Sequence, residues 1–202
     1  MHDSKTEAMT EAMTEAMTEA MTRTAELVRA VRPDQLTRPT PCTEYDVAAL
    51  GRHLTYWGVV FSGQAARKAQ PKPDEGPDGV GDDWAGVFAE QADDTAAAWS
   101  SPDAWEGTTH LAGTPMPASL VGSLMLAELV LHGWDLAVAT GQRPDYSEAV
   151  TRTALEIIER MADQGRAAGI FGQPVPVPDS APLLDRAVAL SGRDPAWAAR
   201  QP

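Results

Sequence analysis

Between Ala118 and Ala139 the chain is almost wholly apolar and close to membrane-span length, yet it places Glu128, His132 and Asp135 in the middle of the run. Charged groups are costly at such positions in lipid, so the stretch reads as a helix buried in a protein core. An unpaired carboxylate in a core costs on the order of several kcal/mol or shifts its pKa until it is neutral, so Glu128 must have a partner. His132, four residues on, shares its helix face. Two readings follow: a Glu–His ion pair or solvent-facing polar pair, or a divalent ion held by both side chains from one helix.

His53 widens the choice. It lies on an apolar stripe of Val47, Leu50, His53/Leu54, Trp57 and Val60/Phe61, whose period predicts a second helix. A histidine there is either a hydrogen-bonded structural residue or a ligand. If the two helices pack together, His53, Glu128 and His132 make a two-histidine, one-carboxylate set with an open position. Catalytic zinc sites have that arrangement, whereas closed structural sites use four protein ligands. His2 is terminal and His110 sits among turn residues, so neither is assigned.

The remaining segments are helical too. A Thr-Glu-Ala-Met repeat fills residues 6–22 and runs unbroken to Val31, with no helix breaker before Pro33. A four-residue period advances about 40° per repeat, which spreads Met9, Met13, Met17 and Met21 over roughly 120° of a helix. Such a broad face needs tertiary packing, and its outermost residues can fray. If exposed, the Met/Ala face suggests a homodimer. Pro33, Pro39 and Pro41 mark a connector, and Thr43-Glu44-Tyr45-Asp46 resembles a capping box that starts the next helix at Thr43. A Pro/Gly loop covers 70–82, and a helix follows over 83–99. Residues 100–117 are turn-rich, with at most a short strand at 108–111. The apolar helix stops at Gly141, another opens at the N-cap Ser147, and a Pro-rich extension over 171–202 contains a short helix at 183–190. With no credible sheet, the expectation is one all-α domain over 1–202: a four-helix bundle, an additional short C-terminal helix and an extended tail.

Composition narrows function. The chain has 29 acidic against 16 basic side chains, a formal charge of −13, which argues against nucleic acid and against an anionic membrane surface. The single cysteine, Cys42, excludes an internal disulfide framework, and the polar N-terminal residues carry no signal-peptide stretch. A reducing, cytoplasmic setting is expected. Cys42 precedes the expected helix start, where a helix dipole can lower a thiol pKa. More commonly a lone cysteine is a small buried hydrophobe, and it is left outside the site.

Several motifs occur together: Arg-Pro-Asp-Gln-Leu (32–36), Pro-Thr-Pro-Cys-Thr-Glu-Tyr-Asp-Val (39–47), Leu-Gly-Arg-His-Leu ending just past His53, Glu-Leu-Val-Leu-His-Gly-Trp-Asp-Leu-Ala-Val-Ala-Thr-Gly (128–141), Ala-Pro-Leu-Leu-Asp-Arg (181–186) and Leu-Ser-Gly-Arg-Asp-Pro-Ala-Trp (190–197). On these the chain resembles the DinB-like superfamily, on the side of the mycothiol-dependent maleylpyruvate isomerases, and more narrowly its single-domain actinobacterial metal-binding proteins. Tyr45 stands where relatives commonly have Trp. The resemblance implies a DinB-like four-helix bundle with His53, Glu128 and His132 as ligands to a divalent ion, zinc first and nickel second. It also implies mycothiol as the thiol cosubstrate of a transferase or isomerase acting on a small electrophile. Asp135 is expected to orient a ligand imidazole or cap a neighbouring helix, and Trp57 and Trp134 to line the pocket mouth. The isomerase carries a further C-terminal domain for which this chain has no room, so its own reaction is not expected here. The alternatives are a non-catalytic structural or sensory metal-binding bundle, and a metal-dependent hydrolase.

Overall fold

The computed structural model describes residues 2–69 and 80–197. Most of the expected Pro/Gly loop over 70–82, and the end of the C-terminal extension, therefore lie outside the described residues.

Helix α1 (His2–Arg29) carries the tetrapeptide repeat without interruption. The 40° drift per repeat decides which methionines reach the core: Met17 and Met21 are buried, Met13 is half-buried, and Met9 is 64% exposed. Glu19, the last repeat carboxylate, accepts from both the backbone N–H and the hydroxyl of Ser147 at 2.7 Å, so the repeat also fixes the start of a distant helix. A 3-10 turn (Pro33–Gln35) follows, and the buried Gln35 amide donates to Thr140 O at 2.8 Å, satisfying a carbonyl at the end of the apolar helix.

Helix α2 (Val47–Leu54) passes through a π-helical stretch (Thr55–Phe61) into α3 (Ser62–Ala66). It begins at Val47, not Thr43. Asp46 is the N-cap, accepting from Ala49 N–H at 2.8 Å, while residues 42–45 stay in a turn closed by Tyr45 N–H to Cys42 O. The π stretch also alters the expected stripe. Its wider turns rotate later residues backwards, so Tyr56 and Val59 are buried and Trp57 and Val60 only half-buried.

Helix α4 (Trp84–Trp99) leads through a 3-10 turn (Pro102–Trp105) to an antiparallel hairpin, β1 (Thr108–Leu111) with β2 (Thr114–Pro117). The expectation of no sheet needs that correction. Ala112 and Gly113 both adopt positive φ (47° and 81°), which closes the tight two-residue turn, and buried Thr109 donates to Ala65 O.

Helix α5 (Ala118–Thr140) matches the expected boundaries and ends on Gly141 at φ 73°. It is long and apolar enough to cross a membrane, but 78% of its most apolar window is packed inside the fold, against α1, α2, α3 and α6. Helix α6 (Glu148–Ala167) opens on Ser147, and α7 (Leu183–Leu190) packs upon it. Among the described residues the architecture is thus a mostly α bundle around α5, with one small hairpin.

The extended segment between α6 and α7 is tied back by backbone bonds, Gly172 N–H to Ser191 O and Val175 N–H to Ala189 O. Gly192 has φ 92°, and a Cβ there would stand 2.5 Å from the Gly172 Cα. Only glycine allows the two backbones to cross so closely.

Candidate metal centre

His53 sits on the last turn of α2 and Glu128 and His132 on α5, and the packing of α2 on α5 brings the three side chains together. Their ligand-type atoms all lie within 4.8 Å of one another. His53 Nε2 is 2.7 Å from Glu128 Oε1, and His132 Nε2 is 3.6 Å from the same oxygen. The two imidazole rings meet edge to face at 4.9 Å. Despite these approaches Glu128 Oε1 is buried and makes no hydrogen bond of acceptable geometry among the described residues. A buried carboxylate oxygen between two imidazole nitrogens fits an ion pair and equally a set of cation ligands, and the residue types suit a zinc-type ion. Burial pushes the Glu128 carboxyl up, but the His132 and His53 imidazoles and Arg193 outweigh it and hold the group below its ordinary range.

Asp135 lies one turn beyond His132 and is fully buried. Its Oδ2 is 2.8 Å from His132 Nδ1. A proton on Nδ1 donated to this carboxylate leaves the Nε2 lone pair directed at Glu128 and His53. Arg193, on the turn after α7, donates from Nε to both Asp135 oxygens (2.9 and 3.0 Å), from Nη2 to Oδ2 (2.9 Å) and from Nη1 to Ser191 Oγ (3.0 Å). Burial raises the Asp135 carboxyl, and Arg193 with His132 reverses that and keeps it low. Asp135 therefore bonds His132 and does not cap a neighbouring helix.

A cavity of about 310 Å³ opens beside the cluster. Cys42, Tyr45, His53, Glu128, His132 and Arg193 line its polar end, and Leu124, Leu131, Met161, Ile170 and Phe171 its apolar wall. The Tyr45 ring stacks at 4.9 Å from that of His53. Neither Trp57 nor Trp134 lines the cavity: Trp134 points into the core at 3% exposure, and the π stretch leaves Trp57 beside His53, 6.4 Å between ring centres, but outside. Cys42 does line it, and is grouped with His132 and Asp135 within 4.8 Å. Its thiol is not lowered by a helix end, because the helix starts five residues later. Burial and the nearby Asp135 push it up, and Arg193 only partly opposes them.

In the sequence, Arg193 is marked only by its place in the 190–197 motif. A partner 58 residues from Asp135 leaves no local signal.

These features define a class, the mostly α DinB-like helical bundle with a histidine–carboxylate cluster at the joint of two helices. The chain matches the family model of the mycothiol maleylpyruvate isomerase N-terminal domain over residues 17–137, and it belongs to that family. That span includes His53, Glu128, His132 and Asp135 but stops short of Arg193. Two proteins of Mycobacterium tuberculosis strains, each named only as uncharacterized, are 30% identical to it over 173 residues, covering 84% of this chain and 91% of theirs. No solved structure matches the chain.

Proposed function

We propose that the chain binds a divalent ion, zinc before nickel, through His53, Glu128 and His132, and uses it with mycothiol in a transferase or isomerase reaction on a small electrophile in the cytoplasm. The observation that carries this reading is the buried Glu128 Oε1 held 2.7 Å and 3.6 Å from the Nε2 atoms of two histidines on different helices. Membership of a mycothiol-related family supports the choice of thiol. Bound there, the ion supplies the positive charge that keeps a thiol in its reactive thiolate form.

The protein's own groups prepare the site. Asp135 holds the proton of His132 at Nδ1, and Arg193 holds Asp135. The Tyr45 ring packs against His53, 4.9 Å between centres. Burial and the nearby Asp135 push the Cys42 thiol up, which favours a thiol supplied by the cosubstrate.

Metal analysis of the purified protein tests the ligands: about one zinc-type ion per chain is expected, and its loss in His132→Ala and His53→Ala. Undiminished metal in both variants overturns the site. Turnover of electrophiles with and without mycothiol tests the chemistry. Activity that ignores the thiol would indicate a hydrolase, and metal without turnover a binding module.

A further inference from the structure

Arg193 is the clamp on Asp135, but that role leaves part of it unused. A guanidinium carries five N–H donors in a fixed fork and does not give up its proton. Here the Nε donor spans both Asp135 oxygens, one Nη2 donor goes to Asp135 Oδ2 and one Nη1 donor to Ser191 Oγ. Nη2 also lies 3.4 Å from His132 Nδ1, but the proton on that nitrogen faces Asp135, so it offers no lone pair. One donor on each terminal nitrogen is therefore left without an acceptor among the described residues. The side chain is 11% exposed and lines the polar end of the cavity. Buried donors are nearly always satisfied, so the acceptor that fits these two is a group entering the cavity.

Position says what that group does. Arg193 and Asp135 face the Nδ1 side of the His132 ring, and Glu128 faces its Nε2 side. A short molecule can touch both sides of that ring at once. Donors fixed in advance where charge develops act most strongly on the reacting state, and a guanidinium does so without transferring a proton.

We infer that Arg193 is a catalytic residue as well as a clamp: its two spare donors hold the carbonyl oxygen of an unsaturated carbonyl electrophile while negative charge gathers there. The inference rests on the thiol-activating reading above and selects addition over displacement. In the step, the thiolate sulfur bonds the β-carbon, and the C=C electron pair moves through the α-carbon to the carbonyl oxygen. The enolate then takes a proton from water, and the hydroxide left behind takes up the proton released when the thiol ionised. Nothing is oxidised or reduced.

Arg193→Gln alone leaves Asp135 buried and unpaired, so the test compares Asp135→Asn with Asp135→Asn/Arg193→Gln in the full-length protein, with zinc in excess and mycothiol present. Two electrophiles are used: but-3-en-2-one, which reacts by addition, and benzyl bromide, whose displaced bromide carries the charge away. Loss of Arg193 should lower kcat/KM for but-3-en-2-one by about 10²- to 10³-fold and leave benzyl bromide within a few-fold. Equal losses for both electrophiles overturn the inference and leave Arg193 a clamp. A second readout needs no turnover. 4-Nitrophenol bound to the native protein should titrate about one unit below its value in water, followed by its visible absorbance. That shift should survive chelation of the metal and vanish in both Arg193→Gln proteins. A shift that persists without Arg193, or disappears on chelation, assigns the oxygen to the ion and overturns the inference. Failure of the native protein to turn over either electrophile counts against the thiol-activating reading, and the nitrophenol titration still decides the role of Arg193.

Discussion

Asp135 shows most clearly how one side chain governs this centre. It is fully buried, ionised against its burial by Arg193, and bonded to the far nitrogen of His132. Asp135→Asn should lower metal affinity by roughly 10- to 100-fold, measured by competition with a chromophoric chelator, while the far-ultraviolet circular dichroism stays unchanged. The native protein should also carry an acid-sensitive part of its stability. A carboxyl whose folded pKa is lowered contributes stability above its unfolded pKa, about 3.9, and loses it as pH falls through the folded value. Denaturant titrations below about pH 4 should show a larger loss in the native protein than in Asp135→Asn, where the lowered Glu128 still contributes. His53, Glu128 and His132 were legible in the sequence because helical spacing alone puts ionisable groups on apolar faces. Arg193 and Cys42 were not, because their proximity is created by tertiary closure over long sequence separations.

At the level of elements, caps carried most of the information. Gly141 and Ser147 fall where their sequence signals put them, since each signal is a short-range bond or a permitted dihedral at an exposed helix end. The π stretch and the second strand of the hairpin were not legible, whereas β1 lies at the short strand expected over 108–111. An extra residue in a helical turn leaves the apolar spacing almost intact, and strands of four residues are too short to establish alternation. Helix α5 depends on one close approach: Tyr146 Oη bonds Thr24 Oγ1 at 3.0 Å and Leu129 O at 3.1 Å directly over Gly133. A Cβ on Gly133 would stand 2.0 Å from that oxygen. Gly133→Ala should therefore destabilise the fold by about 1–3 kcal/mol in urea unfolding and also weaken metal binding at the adjacent His132.

For the whole molecule, the cluster joins α2 to α5, so a ligand there stabilises the packed bundle and has little to hold in the unfolded chain. Metal at 100 times its dissociation constant should add about 2.7 kcal/mol, read as a rise of several degrees in the melting temperature that a chelator reverses. No chelator-dependent shift would mean that the three side chains hold no ion in the folded protein. The excess negative charge favours approach of a cation, although the part of it carried by α1 is too far from the joint to act strongly.

The crossing of Gly172 and Gly192 has a practical consequence for anyone altering the protein. Phe171 and Arg193 are the immediate neighbours of those two glycines, so one side of the cavity wall and the clamp on Asp135 hang from a single rivet. An affinity tag, a shortened linker or a deletion that shifts the register of the Pro-rich segment would displace both together. Residues that could pass for a trimmable appendage are, in engineering terms, the back plate of the site.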